Sequence, residues 1–161
     1  MNNLSYRTDV FDDRLIAAMR VHPRASITDL ARITGMARGT VHSRLDRLER
    51  TGAITGFGPD VDAHACGYDV LAFTTLAIAQ GAHERVVAGL RKVPEIVEIH
   101  TVTGAGDLLL RIVARSNDHL HDILQRVSHL EEVVRTETQL ALSTSLRNTV
   151  ADLIVRHVSD R

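Results

Sequence analysis

The feature that most constrains the fold is a change of hydrophobic periodicity across a stretch rich in glycine. Four glycines and one proline fall within 16 residues there: Gly52, Gly56, Gly58, Pro59 and Gly67. Apolar residues recur at helical spacing before this stretch, whereas runs of strand type alternate with helical runs after it. Because glycine and proline interrupt both kinds of element, the stretch predicts a boundary between two small domains. We place the linker at residues 58–69, between a domain at 1–57 and a domain at 70–145.

The first domain is predicted to contain three helices. The first begins near Asp9 or Asp12, either of which can cap it, and ends before Pro23. The second opens at Ser26 in a pattern that resembles a capping box. The remaining predicted elements are the rest of the second helix up to residue 35, a third helix at 38–50, and a short strand or wing at 53–57.

Three residues join the second and third helices in a pattern typical of a helix-turn-helix. Ala31 is small enough for a helix crossing, Gly35 tolerates a positive φ in the turn, and Val41 closes the core, at offsets of four and six. The third helix then presents side chains that can hydrogen-bond to base edges or phosphates. These predicted DNA contacts are Arg38, Thr40, His42, Ser43, Arg44 and Arg47. A plain helical hairpin with solvated arginines is the competing interpretation.

The distribution of charge favours the nucleic-acid interpretation. The net charge is only −1, which by itself argues against a polyanionic partner. Residues 20–50, however, carry seven arginines against three acidic residues, whereas residues 61–161 carry ten basic and thirteen acidic residues. Since binding depends on where the charge lies, the sequence predicts a basic head on a mildly acidic second domain.

The second domain is predicted to be a ferredoxin-like βαββαβ domain, so that the fold class is α+β with an N-terminal winged helix-turn-helix. Its predicted elements are strands at 70–79, 96–103, 108–114 and 133–142 and helices at 82–92 and 117–129. With both helices on one face of the sheet, another subunit is the simplest cover for the other face. An amphipathic C-terminal helix at 146–161 also needs a partner surface.

Three separated motifs give the chain a resemblance to the Lrp/AsnC (feast/famine) transcription regulators. They are the helix-turn-helix from Ser26 to Phe57, the stretch from Val93 to Arg111, and residues 133–138. The resemblance implies a cytoplasmic homodimer, assembled further into octamers or other even-numbered rings, that binds double-stranded DNA. It also implies that an amino acid or similar small molecule binds near a Gly-x-x-Asp turn at a subunit interface.

The turn that matches this motif is the segment 104–107, which we call the effector turn. The effector-binding residues implied by the resemblance are Thr103, Gly104, Ala105, Gly106, Asp107 and Thr138. The inner pair Ala105–Gly106 departs from relatives, which place an acidic and then an aromatic residue there. Ala37 departs too, because relatives usually cap the recognition helix with serine at this position.

Other function classes receive little support from the sequence. Cys66 is the single cysteine, and the nine histidines form no set with metal-ligand spacing, so we predict no metal and no cofactor. No nucleophile motif predicts an enzyme, and no apolar run predicts a membrane span or secretory signal. A small-molecule-binding oligomer with a vestigial DNA-binding head is the alternative to a regulator, and an enzyme on the ferredoxin-like domain is a second rival.

Overall fold

The computed structural model describes residues 6–160, which separate into two compact units. One unit contains residues 6–59 together with 146–160, and the other contains residues 60–145. The elements in chain order are α1 (Val10–Val21), α2 (Ile27–Thr34), α3 (Arg38–Arg50), β1 (Val70–Ile78), α4 (His83–Leu90), β2 (Ile96–Thr101), β3 (Leu108–Ala114), α5 (Asn117–Ser128), β4 (Val133–Leu140) and α6 (Val150–Ser159).

The helix-turn-helix is fixed by local capping and by a small apolar core. Asp9 and Ser26 cap α1 and α2, each in a capping box. Gly35 ends α2 at φ 71°, a left-handed conformation that costs glycine little and lets the chain turn into α3. The buried core that joins the three helices consists of Leu15, Ala18, Leu30, Ala31, Val41, Leu45 and Leu48.

The prediction of a strand at residues 53–57 is wrong, since the structure has turns and irregular backbone there. Ile54 donates its backbone N–H to the Leu48 carbonyl at 3.0 Å, and its side chain packs on the helical core. The described part of this unit contains no strand with which the segment could form a ladder of backbone hydrogen bonds. The segment therefore closes the end of α3 instead of forming a wing.

The C-terminal helix α6 packs on α1 of the first unit, which provides the partner surface that its apolar face needs. Arg20 binds Asp152 through two contacts, Nε–Oδ1 at 2.7 Å and Nη2–Oδ2 at 3.2 Å. Thr149 caps α6 in a capping box with the same aspartate. A cleft between these helices is lined in part by Ala17 and Val155.

The second unit has the predicted ferredoxin-like topology. Its antiparallel sheet has the strand order β2-β3-β1-β4. The fully buried side chains Leu76, Leu110 and Ile112 lie on the sheet face that packs with α4 and α5 through Val86 and Ile123. Alternation along the strands therefore turns the other residues to the opposite face.

That opposite sheet face, which we call the outer sheet face, has an apolar centre with a polar edge. Cross-strand pairing places Phe73 beside Arg111 and Leu71 beside Val113 on this face. Arg111 forms an ion pair with Glu98 at the side of the apolar centre. Phe73 is 37% exposed although it is large and apolar. Within residues 6–160, no helix has the length and apolar character needed to cross a membrane.

Candidate nucleic-acid interface and effector site

Four of the predicted DNA contacts lie exposed on the outer face of α3. Arg38, Thr40, His42 and Ser43 are all exposed, while Val41 between them points into the core. Ser43 Oγ donates to the Thr40 carbonyl at 3.1 Å, and His42 Nε2 lies 3.7 Å from Asp46 Oδ2. Arg38 has no ion-pair partner among residues 6–160. This face can therefore offer a cation and several hydrogen-bonding groups to a polyanion.

The N-terminus of α3 is open, because Ala37 makes no side-chain hydrogen bond to the first turn. The α1 and α2 N-termini are instead closed by the side chains of Asp9 and Ser26. The first N–H groups of α3 therefore receive no acceptor from the N-cap side chain, and Arg38 lies in the same turn. Such N–H groups and a nearby arginine suit phosphate oxygens.

Arg44 and Arg47 depart from the expectation that they face DNA. Arg44 Nη1 binds Asp9 Oδ2 at 2.8 Å and Asp12 Oδ1 at 2.6 Å. Arg47 Nη2 binds Asp12 Oδ1 at 2.8 Å. The arginine side chains are 18% and 36% exposed, and the Asp12 side chain is fully buried. The structure therefore uses both arginines to join α3 to the start of α1.

Aromatic rings and hydrogen bonds complete this cluster, which we call the α1–α3 ion cluster: Tyr6, Asp9, Phe11, Asp12, Arg44 and Arg47. The Arg44 guanidinium lies 5.1 Å from the Phe11 ring centre, and the Arg47 guanidinium lies 5.3 Å from that of Tyr6. The Tyr6 hydroxyl donates to Asp12 Oδ2. Each arginine is thus held by a carboxylate and by the face of a ring.

The pKa shifts in the α1–α3 ion cluster follow from these contacts. Burial by itself raises the pKa of Asp12, but hydrogen bonds from Tyr6, the Asp9 amide and both arginines hold it below its usual value. The Arg44 hydrogen bond likewise lowers the pKa of Asp9. Burial and the hydrogen bond to Asp12 raise the pKa of Tyr6. Both carboxylates are therefore ionised at neutral pH and balance two arginine charges.

The effector turn is tied to the end of β1 through Asp107. The Asp107 amide donates to the Leu76 carbonyl at 2.8 Å, and Asp107 Oδ2 accepts the Ile78 N–H at 2.9 Å. Gly104 adopts φ 111°, which favours glycine. A Cβ on Gly106 would overlap Thr75 Cγ2 and lie 3.0 Å from the Leu76 carbonyl oxygen. The turn is therefore packed against β1, and one oxygen of Asp107 is already hydrogen-bonded.

Sequence reasoning missed Arg135, whose Nη2 donates to the Ala105 carbonyl of the effector turn at 3.0 Å. Register places Arg135 opposite Ala77, next to the β1 residues that hold Asp107. Thr103 is exposed beside the turn. Thr138, by contrast, bonds through Oγ1 to the buried Thr74 hydroxyl at 3.0 Å. The turn thus gathers a carboxylate and a guanidinium, whereas the contact made by Thr138 is with the middle of β1.

The described part of the chain contains no group of three histidine, cysteine, aspartate or glutamate residues that could hold a metal ion. Cys66 is exposed and free.

Two family models match this chain. The AsnC-type helix-turn-helix domain matches residues 9–49, and the Lrp/AsnC ligand-binding domain matches residues 71–151. The first covers α1 to α3, and the second covers the sheet, the effector turn and the start of α6.

Individual relatives agree with these matches in sequence. The HTH-type transcriptional regulator FL11 of Pyrococcus horikoshii is 30% identical over 141 residues, which cover 88% of this chain and 93% of the relative. The regulatory protein AsnC of Escherichia coli strain K12 is 27% identical over 148 residues, covering 91% and 97%.

Solved structures agree in fold. Escherichia coli AsnC superposes with a TM-score of 0.84 at 26% identity, covering 91% of this chain and 99% of that one. A transcriptional regulator from Neisseria meningitidis in complex with L-methionine gives a TM-score of 0.80 at 20% identity, covering 89% and 95%.

Proposed function

This chain belongs to the Lrp/AsnC family of transcriptional regulators, and from that premise we propose that it reads duplex DNA as a homodimer and responds to an amino acid at the effector turn. The observation that carries the proposal is the outer face of α3, which exposes Arg38, Thr40, His42 and Ser43. We assign no catalytic step to the chain. We place it in the cytoplasm, where both DNA and free amino acids are present.

In the proposed complex, α3 enters the major groove. Arg38 and the open N-terminus of α3 hold phosphate or guanine, and Thr40, His42 and Ser43 contact bases or backbone. Arg44 and Arg47 lie on the same helix, but their guanidinium groups are engaged by Asp9 and Asp12. Direct contact is therefore assigned to the first four residues.

The outer sheet face supports a dimer. Leu71, Phe73, Leu109 and Val113 form an apolar centre that a second copy of the same face can cover about a twofold axis. Two α3 helices related by that axis would match a site with two half-sites. Assembly of such dimers into octamers or other even-numbered rings is part of the proposal through the family resemblance.

The effector turn supports binding of an amino acid. A zwitterion needs an acceptor for its ammonium and a cation or N–H donors for its carboxylate. Asp107 is exposed and keeps acceptor capacity beyond its bond to Ile78, while Arg135 places a guanidinium at the same turn. The related fold from Neisseria meningitidis is bound to L-methionine, which supports the same ligand class here.

We expect DNA binding to depend steeply on salt. Affinity for a duplex selected in vitro with the wild-type protein should fall at least about a hundredfold between about 50 and 200 mM KCl, because phosphate contacts release counterions. Arg38→Gln should reduce the slope of log affinity against log salt by about two for the proposed dimer, because it removes one phosphate contact from each protomer. Fluorescence anisotropy measures both, and Arg91→Gln, an exposed arginine on the other unit, is the matched control. Absence of duplex binding at low salt, or binding indifferent to salt, would contradict the regulator function.

We expect a small set of amino acids to raise the melting temperature. A ligand at about 100 times its Kd adds about 2.7 kcal/mol to the free energy of unfolding, which corresponds to a rise of roughly 5–10 °C. Arg135→Gln should remove the shift because the guanidinium at the effector turn is lost, whereas Arg91→Gln should keep it. Thermal-shift screening of the standard amino acids tests this. If none of them moves the melting temperature, the effector assignment is wrong.

A protein with a vestigial DNA-binding head is the second candidate, and the uncapped Ala37 favours it. Loss of an N-cap costs a helix about 1 kcal/mol. The same anisotropy series separates the candidates, because a vestigial head binds no duplex at low salt while the thermal shift persists.

A further inference from the structure

We propose that Asp12 is a positioning residue for DNA recognition, which holds Arg44 and Arg47 on the α1 side of α3 so that Arg38 and its polar neighbours alone meet the DNA. This inference rests on the proposed function. The observation behind it is the juxtaposition of one fully buried carboxylate with two arginines of the recognition helix.

The contacts of Asp12 occupy both of its oxygens. Oδ1 accepts from Arg44 Nη1 at 2.6 Å and from Arg47 Nη2 at 2.8 Å. Oδ2 accepts from the Tyr6 hydroxyl and from the Asp9 amide, the latter at 3.2 Å. A buried carboxylate that loses its cations is strongly unfavourable, so the aspartate and the arginines hold one another in place.

Asp12 restrains Arg47 more than Arg44. Arg44 also binds both oxygens of Asp9, with Nη1 at 2.8 Å from each. Among residues 6–160, Arg47 makes side-chain hydrogen bonds to Asp12 alone, since its approach to Asp9 is 3.7 Å. Its Nε is buried and has no hydrogen-bond partner within the described residues. Loss of the Asp12 charge should therefore release Arg47 first.

A released arginine would change the salt dependence of DNA binding as well as its strength. Arg47 lies on the helix that is proposed to enter the groove, so its freed guanidinium can reach the phosphate backbone, which every sequence offers. Each added phosphate contact steepens the salt dependence by nearly one unit. It also raises affinity for unrelated sequences and for the correct site by the same factor, because every sequence offers the same phosphates. Asp12 would thus limit sequence-independent binding by keeping a cation away from the phosphates.

The test compares Asp12→Asn with Asp13→Asn in the full chain. Both substitutions remove one negative charge from the same helix, but Asp13 has no side-chain partner among residues 6–160. Affinities are measured for the selected duplex and for a scrambled duplex of equal length over a series of KCl concentrations. For Asp12→Asn we expect the slope to steepen by about two for the proposed dimer, one contact from each protomer, and both affinities to rise by the same factor at low salt. For Asp13→Asn the slope and the affinities should stay as in the wild type.

These readouts separate positioning from support of the fold. A purely structural role would lower the folded fraction, seen by circular dichroism, and reduce both affinities equally without changing the slope. That result, or equal behaviour of the two variants, would overturn the inference. If wild-type protein binds neither duplex, the proposed function itself has failed.

A second variant keeps the inference testable if Asp12→Asn does not fold. Because Arg47 is held by Asp12, Arg47→Gln should leave the salt slope of the wild type unchanged, whereas Arg38→Gln lowers it by about two for the proposed dimer. An equal decrease for Arg47→Gln would mean that Arg47 already contacts phosphate, and Asp12 would then have no such role.

Discussion

Replacing Phe73 by aspartate is expected to convert the proposed dimer into monomers and to lower affinity for a duplex with two half-sites by about a hundredfold or more. Phe73 lies at the apolar centre of the outer sheet face, between Arg111 and Gln139 on the neighbouring strands. In a twofold dimer each substitution occurs twice, so two carboxylates, each beside an Arg111 that already pairs with Glu98, would be buried against apolar surface. In the proposed dimer the two DNA-binding units belong to separate chains, so their cooperation depends on the interface between those chains.

Sedimentation equilibrium and anisotropy measure the two parts of this prediction. Phe57→Asp is the matched control, because Phe57 is also exposed, at 63%, and lies outside the sheet. The monomer should stay folded, since Phe73 faces away from the buried side chains that join the sheet to α4 and α5. A Phe73→Asp variant that remains dimeric would place the interface on another surface.

The elements of both domains were predictable because their signals are local. The third helix was predicted at residues 38–50 and is observed at Arg38–Arg50, since its apolar spacing and the preceding Gly35 turn lie within a few residues of one another. The strand Leu108–Ala114 is likewise observed at its predicted bounds, because its residues are apolar except for Arg111 and a tight turn precedes it. The order βαββαβ then determines the sheet.

The roles of Arg44 and Arg47 were not predictable, because their partners are distant in sequence. Arg44 lies 32 residues from Asp12 and 35 from Asp9, and Arg47 lies 35 residues from Asp12. A charge count over residues 20–50 includes both arginines and leaves out both aspartates. Helical periodicity predicts that a side chain points away from the core, but it does not predict which neighbouring helix the side chain contacts. The exposed positive charge of the head is therefore smaller than the sequence count suggests.

Two further contacts depend on register and long-range packing. Arg135 reaches the effector turn because β4 pairs with β1 in a register that places it opposite Ala77. Helix α6 packs on α1, more than a hundred residues earlier in the chain, with Arg20 and Asp152 132 positions apart. The sequence indicates that β4 pairs with another strand and that α6 packs on another surface. It does not indicate which strand or which surface.

Gly106→Ala is expected to destabilise the second unit by about 1–3 kcal/mol and to weaken effector binding by about tenfold or more. The added methyl group would overlap Thr75 Cγ2 and approach the Leu76 carbonyl oxygen at 3.0 Å. Neither neighbour yields easily, because Thr75 is a β-branched residue within β1 and the Leu76 carbonyl accepts the Asp107 amide at 2.8 Å. The turn itself must therefore move, and Asp107 moves with it.

The displacement of Asp107 connects the packing defect to the ligand. A shift of the turn lengthens the 2.9 Å bond from the Ile78 amide to Asp107 Oδ2 and changes the separation of that carboxylate from Arg135. Gly58→Ala makes the same chemical change where nothing lies within 4 Å, and it should leave melting temperature and ligand shift unchanged. A Gly106→Ala variant that melts earlier but keeps the full ligand-induced shift would separate the effector from this turn. One that changes neither property would mean that the turn is not packed against β1.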